Sequence, residues 1–238
     1  MRKEISIDLH LHFDGSLSIS NARALAALEG VALPEDDNEL KVALTVSPDC
    51  KDLGEYLTKF AFPLSLLQSE AAIEQGMYTL CRELDGEDCI YAEIRFAPQL
   101  HLDKGLDQKK VVEAAIRGFK KSAIDGGLIL CCMRGDDNAA LNETTVEIAR
   151  EYLGKGVVAL DLAGNEAGFP TDSFASLFAR ARELQVPFTI HAGEADCAES
   201  VRSALAMGAS RIGHGVRSIE DPELVDILAK NHIALELC

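Results

Sequence analysis

Two apolar rhythms alternate along this chain. Short runs rich in Val, Ile, Leu and Phe lie at 5–12, 90–96, 128–133, 157–162, 188–191, 211–214 and 233–237, with amphipathic stretches of helical period between them. That alternation predicts parallel βαβ construction, because a strand that returns parallel to its neighbour needs a crossover segment, usually a helix. Helix-start signals agree with it: Asn142 ahead of ETTVEIAREYL with Gly154 beyond, Thr171 ahead of DSFASLFARARELQ, and Asp221-Pro222 opening ELVDILAK. One connection is long. Residues 15–88 carry helical patterns of their own, NARALAALEG and EAAIEQGMYTLCREL, and are expected to form a helical insertion near the strand ends. No Gly/Ser or Pro linker and no internal repeat divides the sequence, so a single domain over 1–238 is expected.

Such strands either close into a barrel or lie open as a doubly wound sheet. The open arrangement usually brings a glycine-rich phosphate loop, and neither GxGxxG nor GxxxxGK occurs here. The expected fold class is therefore α/β, a TIM-type (β/α)8 barrel. Only seven strands are present and the sequence stops at Cys238 at the end of the seventh, so the barrel is expected to be incomplete, with its eighth strand missing.

Composition narrows the partners. The 238 residues are 47% hydrophobic, enough for a substantial core, and carry a formal charge of −16 with no run of Lys or Arg. Such a chain repels a phosphate backbone and an anionic membrane surface alike, so neither nucleic acid nor membrane is expected as a partner. Seven scattered cysteines without a CxxC pair suggest neither a disulfide framework nor a cysteine zinc site, and a reducing cytoplasmic setting is expected. The opening MRKEISIDLHLHF places Asp8, His10 and His12 where a signal peptide needs an apolar stretch.

The candidate chemistry sits at the predicted strand ends. His10 and His12, two apart in an extended run, project from one face, with Ile7, Leu9 and Leu11 on the other. Two neutral imidazoles can form half of a tetrahedral zinc site, and they can equally be a buried pair satisfied by hydrogen bonds. FTIHAGEA ends a second strand with His191 and turns through Gly193 to Glu194, which could deliver a proton to something held at a metal or could be an ordinary acidic residue at a helix start. RIGHGVR sets His214 between two glycines, either to orient or deprotonate a water or as a turn histidine. His101 and His232 are expected to be structural. The fourth strand offers Asp161 but no lysine to bridge two metals, so one metal is the simpler inference, and no GxSxG elbow competes with it.

Taken together, HLHFDG (10–15), EIRFAPQLH (93–101), LCCMR (130–134), VVALDLAGNE (157–166), HAGEA (191–195) and RIGHGVR (211–217) resemble the adenosine deaminase family of metal-dependent amidohydrolases, in family order from residue 5 to the end. The resemblance implies one zinc ion per chain on His10, His12 and His191, with His12 also facing substrate. It further implies Glu194 as proton donor to purine N1 and His214 as the group positioning the attacking hydroxide. Asp14 is implied near the ribose 5′-hydroxyl and the Gly164 backbone near purine N3. Asp rather than Glu in HLHFDG favours a nucleoside over the free base, so the implied reaction is hydrolysis of adenosine, and of 2′-deoxyadenosine, to inosine and ammonia.

Three departures from the family pattern stand out. Phe13 replaces the usual Leu, Asn165 replaces an Asp, and the paired aspartates that end the family's eighth strand do not occur in these 238 residues. The expectation is a C-terminally truncated form of the enzyme. The alternatives are a catalytically impaired nucleoside-binding homologue and an amidohydrolase acting on adenine or a modified adenine nucleoside.

Overall fold

A computed structural model describes residues 5–238. The chain divides into two compact units, Met1–Leu128 and Ile129–Cys238.

The first unit opens with β1 (Ser6–His12), which pairs in parallel with β2 (Cys89–Phe96). Between them lie α1 (Ile19–Glu29), α2 (Asp37–Leu44), α3 (Leu53–Leu57), α4 (Ala61–Ser65) and α5 (Glu70–Gly86). After β2 come α6 (Gln108–Lys120) and β3 (Asp125–Met133), the strand along which the chain passes from one unit to the next. The helix starts follow from their caps: Ser18, Asp36, Asp52, Ser69 and Asp107 each accept a hydrogen bond from an otherwise unsatisfied N–H of the first turn. The patterns at 21–30 and 70–84 predict α1 and α5. They miss α2, α3 and α4, which are five to eight residues long, too short for periodicity to declare itself.

Helices α5 and α6 pack together, and Ile73, Met77 and Leu80 on the first and Val111, Val112, Ala115 and Phe119 on the second are all buried. Burial of each large apolar side chain contributes roughly 1.5–3 kcal/mol. Gly118 makes the close approach possible, since a Cβ there would lie 2.4 Å from the Glu74 carbonyl oxygen. At the rim, Arg117 bridges Glu70 and Glu74.

The second unit continues through α7 (Ala139–Tyr152), β4 (Val157–Ala163), α8 (Ala175–Glu183), β5 (Thr189–Ala192), α9 (Ala198–Met207), β6 (Arg211–His214), α10 (Pro222–Lys230) and β7 (Ala234–Glu236). β3 and β4 end together, with Arg134 N–H donating to the Ala163 carbonyl at 2.9 Å. β4 meets β5 through a single parallel bridge, Leu160 to Phe188. β5, β6 and β7 form a parallel run in which Ala192 lies beside His214. Seven strands alternating with helices make this the α/β class, of the (β/α)8 type with seven strands among the described residues.

The seven strands fall within three residues of the predicted runs, and Asp221 caps α10 as expected, accepting from Glu223 N and Leu224 N. Two details differ. α7 begins at Ala139, and Asn142, expected before the helix, lies inside it. Its buried side chain donates to the Met133 carbonyl at 2.9 Å and accepts from Met133 N–H at 2.8 Å, bracing the end of β3. Along β1 the alternation is broken by a register shift between Asp8 and Leu11, and Ile7 is 62% exposed while Leu9 and Leu11 are half-buried. Among the described residues no helix is long and apolar enough to cross a membrane.

Candidate active site

In the first unit, β1 delivers His10 and His12 at its C-terminal end. Their ring centroids stand 5.4 Å apart with planes tilted by 56°, both half-buried. Asp8 Oδ1 accepts from His10 N–H at 2.9 Å, filling the place where the strand register slips. Phe60, in the 15–88 segment, sets its ring edge-on to His12 at 6.3 Å. Two residues past His12, Asp14 is buried, and removal from water pushes its carboxyl up to about 7 against two opposing backbone hydrogen bonds. A small pocket beside Asp14 is lined by Leu44, Tyr56, Lys59, Phe60 and Pro63. None of these was singled out by sequence, because the short helices that carry them give no periodic signal.

His101 is structural, as expected. It is fully buried between Phe13, stacked at 6.5 Å, and Phe96, edge-on at 5.7 Å, with Nδ1 2.8 Å from the Leu67 carbonyl. Burial pushes its imidazole down to about 4.

In the second unit, His191 ends β5 with its Nδ1 2.8 Å from Asp161 Oδ2, a carboxylate on β4 with no solvent exposure. Asp161 Oδ1 also accepts from the backbone N–H of Leu162 at 2.7 Å and of His191 at 3.2 Å. With a carboxylate this close to Nδ1, Nε2 is the nitrogen left open to a ligand, the arrangement metal-binding histidines commonly take. His214 ends β6 with φ of +64°, an uncommon conformation for a residue with a Cβ. Its ring centroid is 5.1 Å from that of His191, and its Nε2 is 3.6 Å from Glu194 Oε2. Burial raises the Glu194 carboxyl above its ordinary value, and the Glu166 charge adds to the rise. Gly164, just past β4, lies against Met133 and Arg134. His232 sits between α10 and β7, its N–H donating to the Ala229 carbonyl.

Two charged residues in the recognised motifs take parts that sequence did not assign. Arg134 is buried and donates to the carbonyl oxygens of His191 at 2.7 Å and Phe169 at 2.6 Å, and to the Thr171 hydroxyl at 3.0 Å. Glu166 is buried beneath the 193–196 turn. A charge at the end of an apolar strand run, directly after β3 for Arg134 and three residues past β4 for Glu166, is the signal each offers.

The sequence pattern of the family described as adenosine deaminase matches residues 6–238. The chain belongs to the adenosine deaminase family. A curated adenosine deaminase from Haemophilus ducreyi is 46% identical over 241 residues, which cover 98% of this chain and 70% of that protein. Among solved structures, an adenine deaminase from Arthrobacter aurescens matches with a TM-score of 0.81 at 26% identity, covering 96% of this chain and 70% of that one. An amidohydrolase from Burkholderia ambifaria, solved with bound zinc, shares the fold with a TM-score of 0.86 at 20% identity, over 97% of this chain and 64% of that one. The family's zinc fits the donors present here. The imidazoles of His10 and His12 stand side by side, and His191 has a buried carboxylate at Nδ1 that leaves Nε2 open to a ligand.

Proposed function

We propose that this member of the adenosine deaminase family hydrolyses adenosine, and 2′-deoxyadenosine, to inosine and ammonia with one zinc ion per chain. The observation that carries this reading is the arrangement in the second unit: a carboxyl raised by burial, 3.6 Å from an imidazole, beside a histidine oriented by a buried aspartate. His10, His12 and His191 would hold the zinc, and His12 would also face the substrate. Zinc held there would make water a nucleophile near neutral pH by lowering its pKa.

The chain's own residues supply the rest. Glu194, whose carboxyl burial raises above its ordinary value, donates to purine N1 and leaves C6 electrophilic. His214, held in a strained turn at the end of β6, orients the attacking water and takes up its proton. Asp14 accepts from the ribose 5′-hydroxyl, and the Gly164 backbone meets purine N3. The proton taken up by His214 passes to the C6 amine, which leaves as ammonia, and the added hydroxyl gives its proton back to Glu194 as the C6 carbonyl forms. The seven unbridged cysteines suit a reducing compartment, and we place the enzyme in the cytoplasm.

The test is turnover of the purified chain on adenosine, 2′-deoxyadenosine, adenine and N6-methyl-AMP, with zinc content measured on the same samples. Glu194→Gln is expected to keep one zinc per chain and lose about 10²- to 10⁴-fold in kcat. Equal rates for Glu194→Gln and its parent would remove Glu194 from the reaction. A preference for adenine would move the enzyme to the free-base class.

A further inference from the structure

Glu166 lies just past β4 with 1% of its surface exposed. Four consecutive backbone N–H groups donate to its carboxylate: Gly193 at 2.6 Å to Oε1, and Glu194, Ala195 and Asp196 at 2.9, 2.7 and 3.2 Å to Oε2. The Ser200 hydroxyl on α9 adds a fifth donor. Successive amides converging on one anion form a nest. Here the anion is part of the protein, so the turn is wrapped around a fixed internal charge. The opposite side of the same turn is held by β6 and the loop after it, where Gly215 N–H donates to the Ala192 carbonyl and Arg217 N–H to the Gly193 carbonyl, both at 3.0 Å.

The carboxylate is anchored in turn. Ser200 Oγ lies 2.7 Å from Thr171 Oγ1, Thr171 accepts from Arg134, and Arg134 donates to the His191 carbonyl. A buried cation and a buried anion are thus joined through two hydroxyls, and the chain of bonds starts at the strand end that carries His191 and finishes on the amides of 193–196. Burial works against the Glu166 charge, but the Ser200 hydroxyl, the turn amides and Arg134 outweigh it and hold the carboxyl below its ordinary value. Gly193 is required in this turn, with φ of +67° and a Cβ position 2.7 Å from Val201 Cγ2.

We propose that Glu166 is a positioning residue for Glu194, fixing through the amides of 193–196 the direction from which that carboxyl meets the purine. This rests on the assignment of Glu194 as proton donor. A donor displaced by about 1 Å can cost on the order of 10²-fold in rate. Glu166→Gln keeps the shape of the side chain but removes the charge and replaces an acceptor by an NH2 group that faces backbone donors.

The experiment measures kcat, KM for adenosine, zinc content and amide exchange of the 193–196 segment in four proteins: parent, Glu166→Gln, Glu194→Gln and the double variant. Glu166→Gln is expected to lower kcat by about 10- to 100-fold with KM changed less than about threefold, zinc retained and exchange at 193–196 accelerated. In the Glu194→Gln background the same change is expected to cost less than about threefold, because the group it aims is gone. Equal losses in both backgrounds, or unaltered kcat in Glu166→Gln, overturn the proposal. Full turnover by Glu194→Gln overturns the donor assignment instead, and aiming is then judged by exchange at 193–196, where unchanged exchange in Glu166→Gln refutes it. Should Glu166→Gln not fold, Ser200→Ala removes one donor and keeps the charge. Its expected loss is roughly threefold to tenfold in kcat with faster exchange at 193–196, and no change in either refutes the proposal.

Discussion

Protonation of His101 offers a quantitative test of how the first unit is packed. In the unfolded chain the imidazole titrates near its ordinary 6.5, whereas the folded protein keeps it neutral down to about 4. The cause is visible in its surroundings: one ring nitrogen is committed to the Leu67 carbonyl, Nε2 is buried with no hydrogen-bond partner among the described residues, and Phe13 and Phe96 cover the ring. Because the folded value is the lower one, stability from this residue is complete above the unfolded pKa and is lost as pH falls toward the folded pKa. The loss is about 2 kcal/mol at about pH 5 and approaches about 3 kcal/mol below 4. Asp14 works in the opposite sense, since a folded value of about 7 against 3.8 makes acidification stabilising through the same window. The parent's own pH profile therefore mixes the two, and only a difference isolates His101. His101→Phe keeps the aromatic packing and strands the Leu67 carbonyl, a cost of about 1–3 kcal/mol that does not depend on pH. Urea unfolding of both proteins followed by circular dichroism should show the parent's advantage shrinking by about 2 kcal/mol between about pH 7.5 and about pH 5. With a slope of about 2–3 kcal/mol per molar urea, that is roughly 0.7–1 M in midpoint difference. A gap that stays constant across this range would refute the buried neutral histidine.

Asp161→Asn replaces the carboxylate on His191 Nδ1 by an amide, and zinc affinity measured by chelator competition is expected to fall about 10- to 100-fold; an unaltered affinity would show that His191 needs no such partner. Gly193→Ala forces a Cβ into a left-handed turn and against Val201, costing about 2–4 kcal/mol together. Calorimetry should register a drop of roughly 4–16 °C in Tm, and an unchanged Tm would contradict the close contact. Asp14→Asn should lower kcat/KM for adenosine by about 10- to 100-fold while leaving 5′-deoxyadenosine nearly unaffected, since only the former offers a hydroxyl to the carboxylate; equal losses on both would refute the 5′ assignment.

The strand ends were legible because residue type and period agree there. His191 and His214 each close an apolar run, and the β5 to β6 register, with Ala192 beside His214, makes both runs stop at the same height and brings the rings to 5.1 Å. Sequence could name these residues without knowing that contact. It could not see the slip in β1 between Asp8 and Leu11, because simple alternation assumes an unbroken register. It also misjudged Asn142, whose type suits a cap but whose side chain is taken up by Met133. The wall of the Asp14 pocket stayed hidden for a different reason. Leu44, Tyr56 and Phe60 lie on elements of three to eight residues, where tertiary packing decides the backbone and leaves no periodic trace.

The opposite shifts of Glu166 and Glu194 follow from burial, from neighbouring charge and above all from how many hydrogen-bond donors each carboxyl meets. Glu166 is buried beneath the 193–196 turn and Glu194 half-buried on it, and their shifts run in opposite directions. Glu166 receives four amides and a hydroxyl, all donors that reward the ionised form. Glu194 has an imidazole at 3.6 Å as its nearest ionic neighbour. In a chain with sixteen excess negative charges, saturating Glu166 with donors keeps its charge beneath the turn, and that charge adds to the rise that burial imposes on Glu194. Removing the Glu166 charge would therefore do two things at once: release the turn, and take away part of the repulsion that raises Glu194. With Glu194 as the proposed donor, loss of aim and a lowered Glu194 carboxyl act in the same direction on turnover, while His10 and His12, the proposed zinc donors, lie in the other unit.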